Sequence, residues 1–236
     1  MKKIIGILGG MGPEATIYMQ ELILKKTKAQ KDQDHIQMVI YSNPKVPPRT
    51  DAILKTGPSP VPYLIEGVKT LNQAGADFII MPCITAHHFI PEVKKKIKFD
   101  FLSLLEESLK WTLKNIPGIK KAGIVASTGT LESRLFHNSF QAKDIEMLSP
   151  SGEEQEQVME AIFGKKGIKA GFTTGNPRDN IIRIAHELIQ KGAEVIIAGC
   201  TEVPLVLKDR DISVPRIEPM EIVAEASVIK AGYELK

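Results

Sequence analysis

The sequence predicts an α/β fold of two pseudo-twofold-related domains, each a mostly parallel sheet flanked by helices, with the functional site in the interdomain cleft. Three observations predict it. Short apolar runs of strand length alternate with stretches of helical periodicity, the first run closes on a glycine turn, and the second half repeats the first at a constant offset. A length of 236 residues leaves room for two domains of about 100 residues each.

The elements follow in order. Residues 3–8 form a β-rich run ending in Gly9-Gly10, and Ala15, Tyr18, Met19, Leu22 and Ile23 then recur at helical spacing. Residues 36–41 predict a second strand, 61–74 a helix, and 77–81 a third strand whose unbroken apolar character suits a sheet covered on both faces. A Lys-rich helix after Pro91, a short run at 99–102 and a helix over 104–114 close the first half. The second half predicts strands at 122–126, 145–148 and 194–198, with helices at 131–140 and 152–163. Asn176 as cap and Pro177 in the first turn open a helix carrying Ile181, Ile182, Ala185, Leu188 and Ile189. A last helix carries Ile222, Val223, Ala226, Ile229 and Tyr233. The expected domains are residues 1–101 completed by 213–236, and residues 102–212.

The repeat is the most informative feature. Gly75-Ala-Asp-Phe-Ile-Ile-Met-Pro-Cys83 lies over Gly192-Ala-Glu-Val-Ile-Ile-Ala-Gly-Cys200, an offset of 200 − 83 = 117. The same offset of 117 lays Gly6 over Gly123 and Gly12 over Gly129. The two cysteines, the only ones in the chain, thus occupy equivalent strand ends, where parallel sheets bind ligands and the next helix presents free N–H groups. A lone cysteine at a buried strand end is ordinarily a small hydrophobe. Two at equivalent ends, facing one another across a cleft, are the arrangement for a two-base proton transfer. One thiolate removes a proton from carbon and the opposing thiol delivers one to the other face.

Composition excludes several classes. With 31 Lys and Arg against 28 Asp and Glu the formal charge is +3, spread along the chain, so no nucleic-acid partner is expected. The longest apolar stretch, 78–84, is far short of the roughly 20 residues that span a bilayer. No signal peptide is evident, which reads as cytoplasmic. Two cysteines are too few for a disulfide scaffold or a Cys-only metal site. The five histidines, His35, His87, His88, His137 and His186, lack metal-ligand spacing, so no metal is expected; His87 and His88 read as helix-start packing or solvent contacts. Gly10-Met-Gly12-Pro-Glu-Ala15 satisfies the loose dinucleotide pattern, but no acid ends the next strand to bind a ribose. Trp111 and Met159 read as core, and Lys94, Lys95, Lys96 and Lys98 as a solvated helix face.

Gly6-Ile-Leu-Gly-Gly-Met-Gly-Pro13, Ile40-Tyr-Ser-Asn-Pro44 with Pro48-Arg49-Thr50, Met81-Pro-Cys83-Ile-Thr85-Ala-His87 and Gly199-Cys-Thr-Glu202-Val-Pro-Leu205 together resemble the aspartate/glutamate racemase family over essentially the whole chain. Ile168-Lys169-Ala-Gly171 resembles a lysine-bearing motif of the same enzymes. The resemblance implies an amino-acid racemase that works without pyridoxal phosphate or any other cofactor, with Cys83 and Cys200 as the acid/base pair. It implies that Thr85 and Thr201 hold the α-carboxylate, with Thr128 and Thr130 nearby, and it adds Met11, Asn43 and Glu202 to the substrate-binding set. Glu202 after Cys200-Thr201, where glutamate racemases carry His, points to the aspartate branch. There Arg49 and Lys169 resemble the cations that receive the side-chain carboxylate.

One position departs from the family pattern: Ile84 stands where the family has Asn, and Ile donates no hydrogen bond. That departure opens a broader or different amino-acid specificity, while the resemblance as a whole implies a small amino acid as partner, dicarboxylic first, and a homodimer as the assembly. Alternatives in catalysis are a broad-specificity or glutamate racemase, or another reaction of the superfamily such as hydantoin racemisation or maleate isomerisation. The alternative outside catalysis is an amino-acid-binding regulatory module.

Overall fold

The computed structural model describes residues 2–236. The chain forms two compact units: the first runs to Glu107 and takes back Met220–Lys236, and the second is Ser108–Pro219. In the first, strands β1 (Ile5–Gly9), β2 (Met38–Ser42) and β3 (Phe78–Ile80) make a parallel sheet in the order β2-β1-β3. In the second, β4 (Lys121–Val125), β5 (Glu146–Leu148), β6 (Val195–Ala198) and β7 (Arg216–Ile217) are again all parallel, in the order β5-β4-β6-β7. β1, β3 and β6 are buried along their whole length, as sheets covered on both faces require.

The covering helices start and stop where their residues dictate. Pro13–Lys26 begins on proline, carries Glu14 in its first turn and Lys25 and Lys26 in its last, and buries Ala15, Met19, Leu22 and Ile23. Val61–Gln73 buries Val61, Leu64, Val68 and Leu71, and Asn176–Gln190 buries Ile181, Ile184, Ala185 and Leu188. Ile182 and Ile189 are only partly buried against that core.

The repeat survives in three dimensions, bond for bond. Ile5 pairs with Phe78 across β1 and β3, and Ala122 with Val195 across β4 and β6, so both partners advance by the sequence offset. A carboxylate opens each third strand and ties the start of each first one. Asp77 Oδ2 accepts from the Ile4 N–H at 2.7 Å, and Glu194 Oε1 from Lys121 N–H at 2.9 Å. Gly6 and Gly123 make the same close approach: a Cβ on Gly6 would meet Ala76 Cβ at 2.9 Å, Ile79 and Leu71, and one on Gly123 would meet Ala193, Leu188 and, at 2.8 Å, Ile196. All three contacts correspond.

Several expectations need correction. Residues 213–219 belong to the second unit because β7 hydrogen-bonds to β6, while 102–107 stay with the first, where Leu102 N–H donates to Ile79 O at 3.0 Å. In the short run at 99–102, Phe101 makes a single parallel bridge to Ile79. The helix expected over 131–140 is two, Thr128–Glu132 and Leu135–Gln141. Ser133 Oγ turns back to Thr130 O, and Arg134 takes a left-handed φ of 52°, which stops the first helix. Gly175 with φ 66°, not Asn176, caps the helix that follows. Pro219–Lys230 ends before Tyr233, whose ring lies under Lys2 Nζ at 4.1 Å. Trp111 and Met159 are half-buried rather than core. Among the described residues no helix is long and apolar enough to cross a membrane.

Gly6→Ala and Gly123→Ala should destabilise the protein by similar amounts, about 1–3 kcal/mol each, from overpacking of the strand against the preceding helix. Urea unfolding of the two variants measures this.

Candidate active site

In each sheet the strand order reverses beside the first strand, between β1 and β3 and between β4 and β6. Loops leaving these strand pairs diverge, and such points are where open α/β sheets bind ligands. Cys83 follows β3 and Cys200 follows β6. Both cysteines are free and buried, the residues 6% and 7% exposed.

In the first unit the loop after β1 is fixed by Gly10, whose φ is +90° and whose Cβ position lies 2.3 Å from Asn43 N, too close for any side chain. Thr16 Oγ1 accepts from Gly10 N–H at 2.8 Å and donates to Gly12 O at 2.9 Å. Asn43 N–H donates to Gly9 O at 3.3 Å, holding the end of β2 against that loop. Met11 packs in the same apolar cluster as Cys83. Arg49 starts the short helix Arg49–Ile53, which packs on the turn Thr85–Phe89. Its Nη1 donates to Val46 O and Pro47 O at 3.1 and 3.0 Å, and its Nη2 to Met11 O at 3.2 Å; its Nε is buried without a hydrogen-bond partner. Met11, Asn43, Arg49, Cys83 and Thr85 are thus brought together in this unit. Thr85, also buried, begins a 3-10 turn rather than an α-helix.

His87 fixes the cysteine. Its Nε2 accepts the Leu104 N–H at 3.2 Å, so the proton sits on Nδ1, which donates to Cys83 O at 2.9 Å. The ring ties the Cys83 turn to the first residue of the helix Leu104–Asn115. Burial lowers its pKa from 6.5 to about 4, against the opposing pull of the Cys83 and Ile84 backbone. His88 is exposed.

In the second unit one buried carboxylate gathers three donors. Glu202, 2% exposed, accepts from Cys200 Sγ at 2.9 Å and Thr201 Oγ1 at 3.1 Å on Oε2, and from Lys169 Nζ on Oε1. Burial first, and then the negative charge of Glu202, push the Cys200 thiol well above its usual pKa, while Lys169 pulls the other way. Cys200 is therefore a protonated donor in the resting fold. Lys169 also lies over the Phe163 ring at 5.5 Å. Thr201 precedes the helix Val203–Val206 by two residues instead of starting it. Beyond β4, Ser127 and Thr130 hydroxyls lie 3.2 Å apart, Thr128 N–H meets Met159 Sδ at 3.2 Å, and Gln155 Nε2 donates to Thr128 Oγ1 at 3.1 Å and Ala126 O at 3.0 Å. Among the described residues no group of three or more His, Cys, Asp or Glu is arranged to hold a metal ion.

A family model described as Asp/Glu/hydantoin racemase matches residues 8–227. The chain belongs to this racemase family. Along 95% of its length it is 28% identical to the broad-specificity amino-acid racemase RacX of Bacillus subtilis, covering 96% of that protein. Its fold superposes on the aspartate racemase of Picrophilus torridus with a TM-score of 0.87 at 29% identity, covering 99% of this chain and 96% of that one. An aspartate racemase homologue from Pyrococcus horikoshii gives a TM-score of 0.76 at 26% identity, with 98% and 99% covered. Fold and relatives together make the chain an isomerase, an amino-acid racemase.

For this racemase the motif residues divide between the units: Met11, Asn43, Arg49, Cys83 and Thr85 in the first, and Thr128, Thr130, Lys169, Cys200, Thr201 and Glu202 in the second. Lys169, expected to receive a substrate carboxylate, is paired with Glu202 in this structure. Gln155 was missed. It lies 27 residues from Thr128 on the far side of a strand, and nothing in the local sequence marks it.

His87 predicts a pH effect on stability. The unfolded chain binds a proton near pH 6.5 and the fold resists it until about pH 4, so the stabilisation is complete above 6.5 and is lost as pH falls through this window. The shift corresponds to about 3 kcal/mol. In urea unfolding at pH 7 and 4.5, the wild type should lose more stability than His87→Gln over the same interval.

Proposed function

We propose that this racemase inverts the α-carbon of aspartate by two-base transfer between Cys83 and Cys200, without a cofactor, in the cytoplasm and as a homodimer. The observation that carries the mechanism is the registered repeat: two free thiols at equivalent strand ends, each at the reversal point of its own sheet. In one direction the Cys83 thiolate takes the Cα proton, and the Cys200 thiol, already a hydrogen-bond donor, gives its proton to the opposite face of the carbanion. The other enantiomer reacts by the reverse transfer.

The Cα–H is a weak acid, so the α-carboxylate must be held while charge develops on it. Thr85 and Thr201 beside the cysteines, with Thr128 and Thr130, are the groups proposed for this. Arg49 is proposed for the side-chain carboxylate. Its buried Nε lacks a partner, and a carboxylate would satisfy it bidentately with a neighbouring N–H. Glu202 enters this reading as the partner of Cys200.

Two observations favour broad specificity as the second reading. Ile84 is buried beside Cys83 and offers substrate no hydrogen bond, and Lys169 is engaged by Glu202. RacX, named for broad specificity, is a relative of this chain.

Incubation with a panel of L-amino acids in D₂O tests both. Deuterium at Cα and the D-enantiomer are expected with aspartate at the head of the panel, and a flat profile across the panel would favour the second reading. Absence of exchange with every member would overturn racemase activity. Cys83→Ala and Cys200→Ala should each lower racemisation by about 10²–10⁴-fold; loss in only one of them contradicts the two-base scheme.

A further inference from the structure

We infer that Glu202 is a catalytic residue that relays protons between Cys200 and solvent, resetting the sulfur between turnovers, with Lys169 as the solvent-side end of the relay. The inference rests on the racemase reading of Cys200 and adds a step to it. A two-base racemase ends each turnover with its proton on the wrong sulfur. After Cys200 has protonated carbon it is a thiolate, and Cys83 has become a thiol. Another substrate of the same hand cannot react until Cys200 regains a proton and Cys83 loses one.

The surroundings of Cys200 leave a defined route for that proton. Cys200 is 7% exposed as a residue, and Glu202 beside it only 2%. Sγ is bonded to Glu202 Oε2 at 2.9 Å, and the other oxygen of the same carboxylate is bonded to Lys169, whose side chain is 25% exposed. Sulfur, carboxyl and ammonium therefore form an unbroken chain from a buried reacting atom to a group that touches water. Each link is a hydrogen bond along which a proton can pass.

The steps balance. With Sγ as thiolate, Lys169 gives one proton to the Glu202 carboxylate and takes one from water; the protonated carboxyl then gives its proton to Sγ. The net change is one proton from solvent to sulfur. Run backwards, the thiol proton passes to Glu202 and out to water, leaving the thiolate that the opposite enantiomer requires. Lys169 also offsets the charge that arises when thiolate and carboxylate face each other, as its downward pull on the Cys200 thiol indicates.

A group that merely positions Cys200 would slow the first proton transfer and the overall cycle alike, whereas a relay limits the cycle. The test compares the two in the full-length protein with Cα-deuterated substrate: a single turnover with enzyme in excess, and steady-state turnover at saturating substrate. For Glu202→Gln the loss in steady-state turnover should exceed the loss in the single turnover by about tenfold or more. Lys169→Met should show the same signature and serves should the Gln variant fail to fold. In Glu202→Ala, added formate should restore steady-state turnover in proportion to its concentration. Equal losses in both measurements, no loss, or no rescue by formate would overturn the relay. Failure of the wild type to exchange Cα hydrogen with any amino acid would instead sink the racemase reading itself, so the two failures are distinguishable.

Discussion

The close approach of a Cβ-less strand to the helix before its neighbour sets the position of each cysteine. At Gly6 and Gly123 the main chain lies where a methyl group would sit 2.8–2.9 Å from the nearest side chain. That contact locks the helix end, the glycine turn and the following strand against the first strand in one register. The helix ends themselves are alike: Gly75 and Gly192 both have positive φ, and Ala76 and Ala193 N–H groups reach back to Leu71 and Leu188 carbonyls at 3.1 and 3.0 Å. A cysteine follows each third strand, three residues beyond Ile80 in the first unit and two beyond Ala198 in the second. A shift of one residue in either register would turn the sulfur to the other face of its sheet.

Duplication carried the scaffold and left the sulfurs free to diverge. At the repeat offset Ile84 corresponds to Thr201 and Thr85 to Glu202, so the two cysteine turns carry different chemistry on the same backbone plan. Cys83 is held through its carbonyl by a neutral imidazole, which fixes position without bringing a charge to the sulfur. Cys200 is held through its sulfur by a carboxylate, which fixes its protonation as well. The asymmetry suits a reaction in which one thiol begins as donor while the other must accept.

The sheet strands and the position of the cysteines just beyond them were legible because periodicity and the internal repeat are local signals. Apolar runs such as Phe-Ile-Ile and Val-Ile-Ile-Ala read as buried strands on their own. What escaped reading depends on tertiary partners or on too few residues. β7 has two residues, too short to show alternation, and joins the second unit only by pairing with β6. Arg134 breaks a helix whose apolar pattern continues through Phe136 and Phe140, so the pattern hides the break. The Lys169 ion pair joins residues 33 positions apart, and a motif can name both without showing that each satisfies the other.

That ion pair is also where stability alone fails as an explanation. Removing a carboxylate from water costs several kcal/mol, and even a well-made buried ion pair often does no better than apolar side chains of the same volume. Glu202 is 2% exposed and lies in the chain between Cys200 and Val203, both members of an apolar core that also holds Ala198, Val206 and Leu207. Its partners divide by function: Thr201 and Lys169 offset the desolvation, but the Cys200 thiol is a weak donor that does little for a buried anion. The same carboxylate makes the thiol harder to ionise. A group that is expensive to bury and yet placed against the one cysteine of its unit is better accounted for by the control of that thiol's proton than by the folding of the sheet around it.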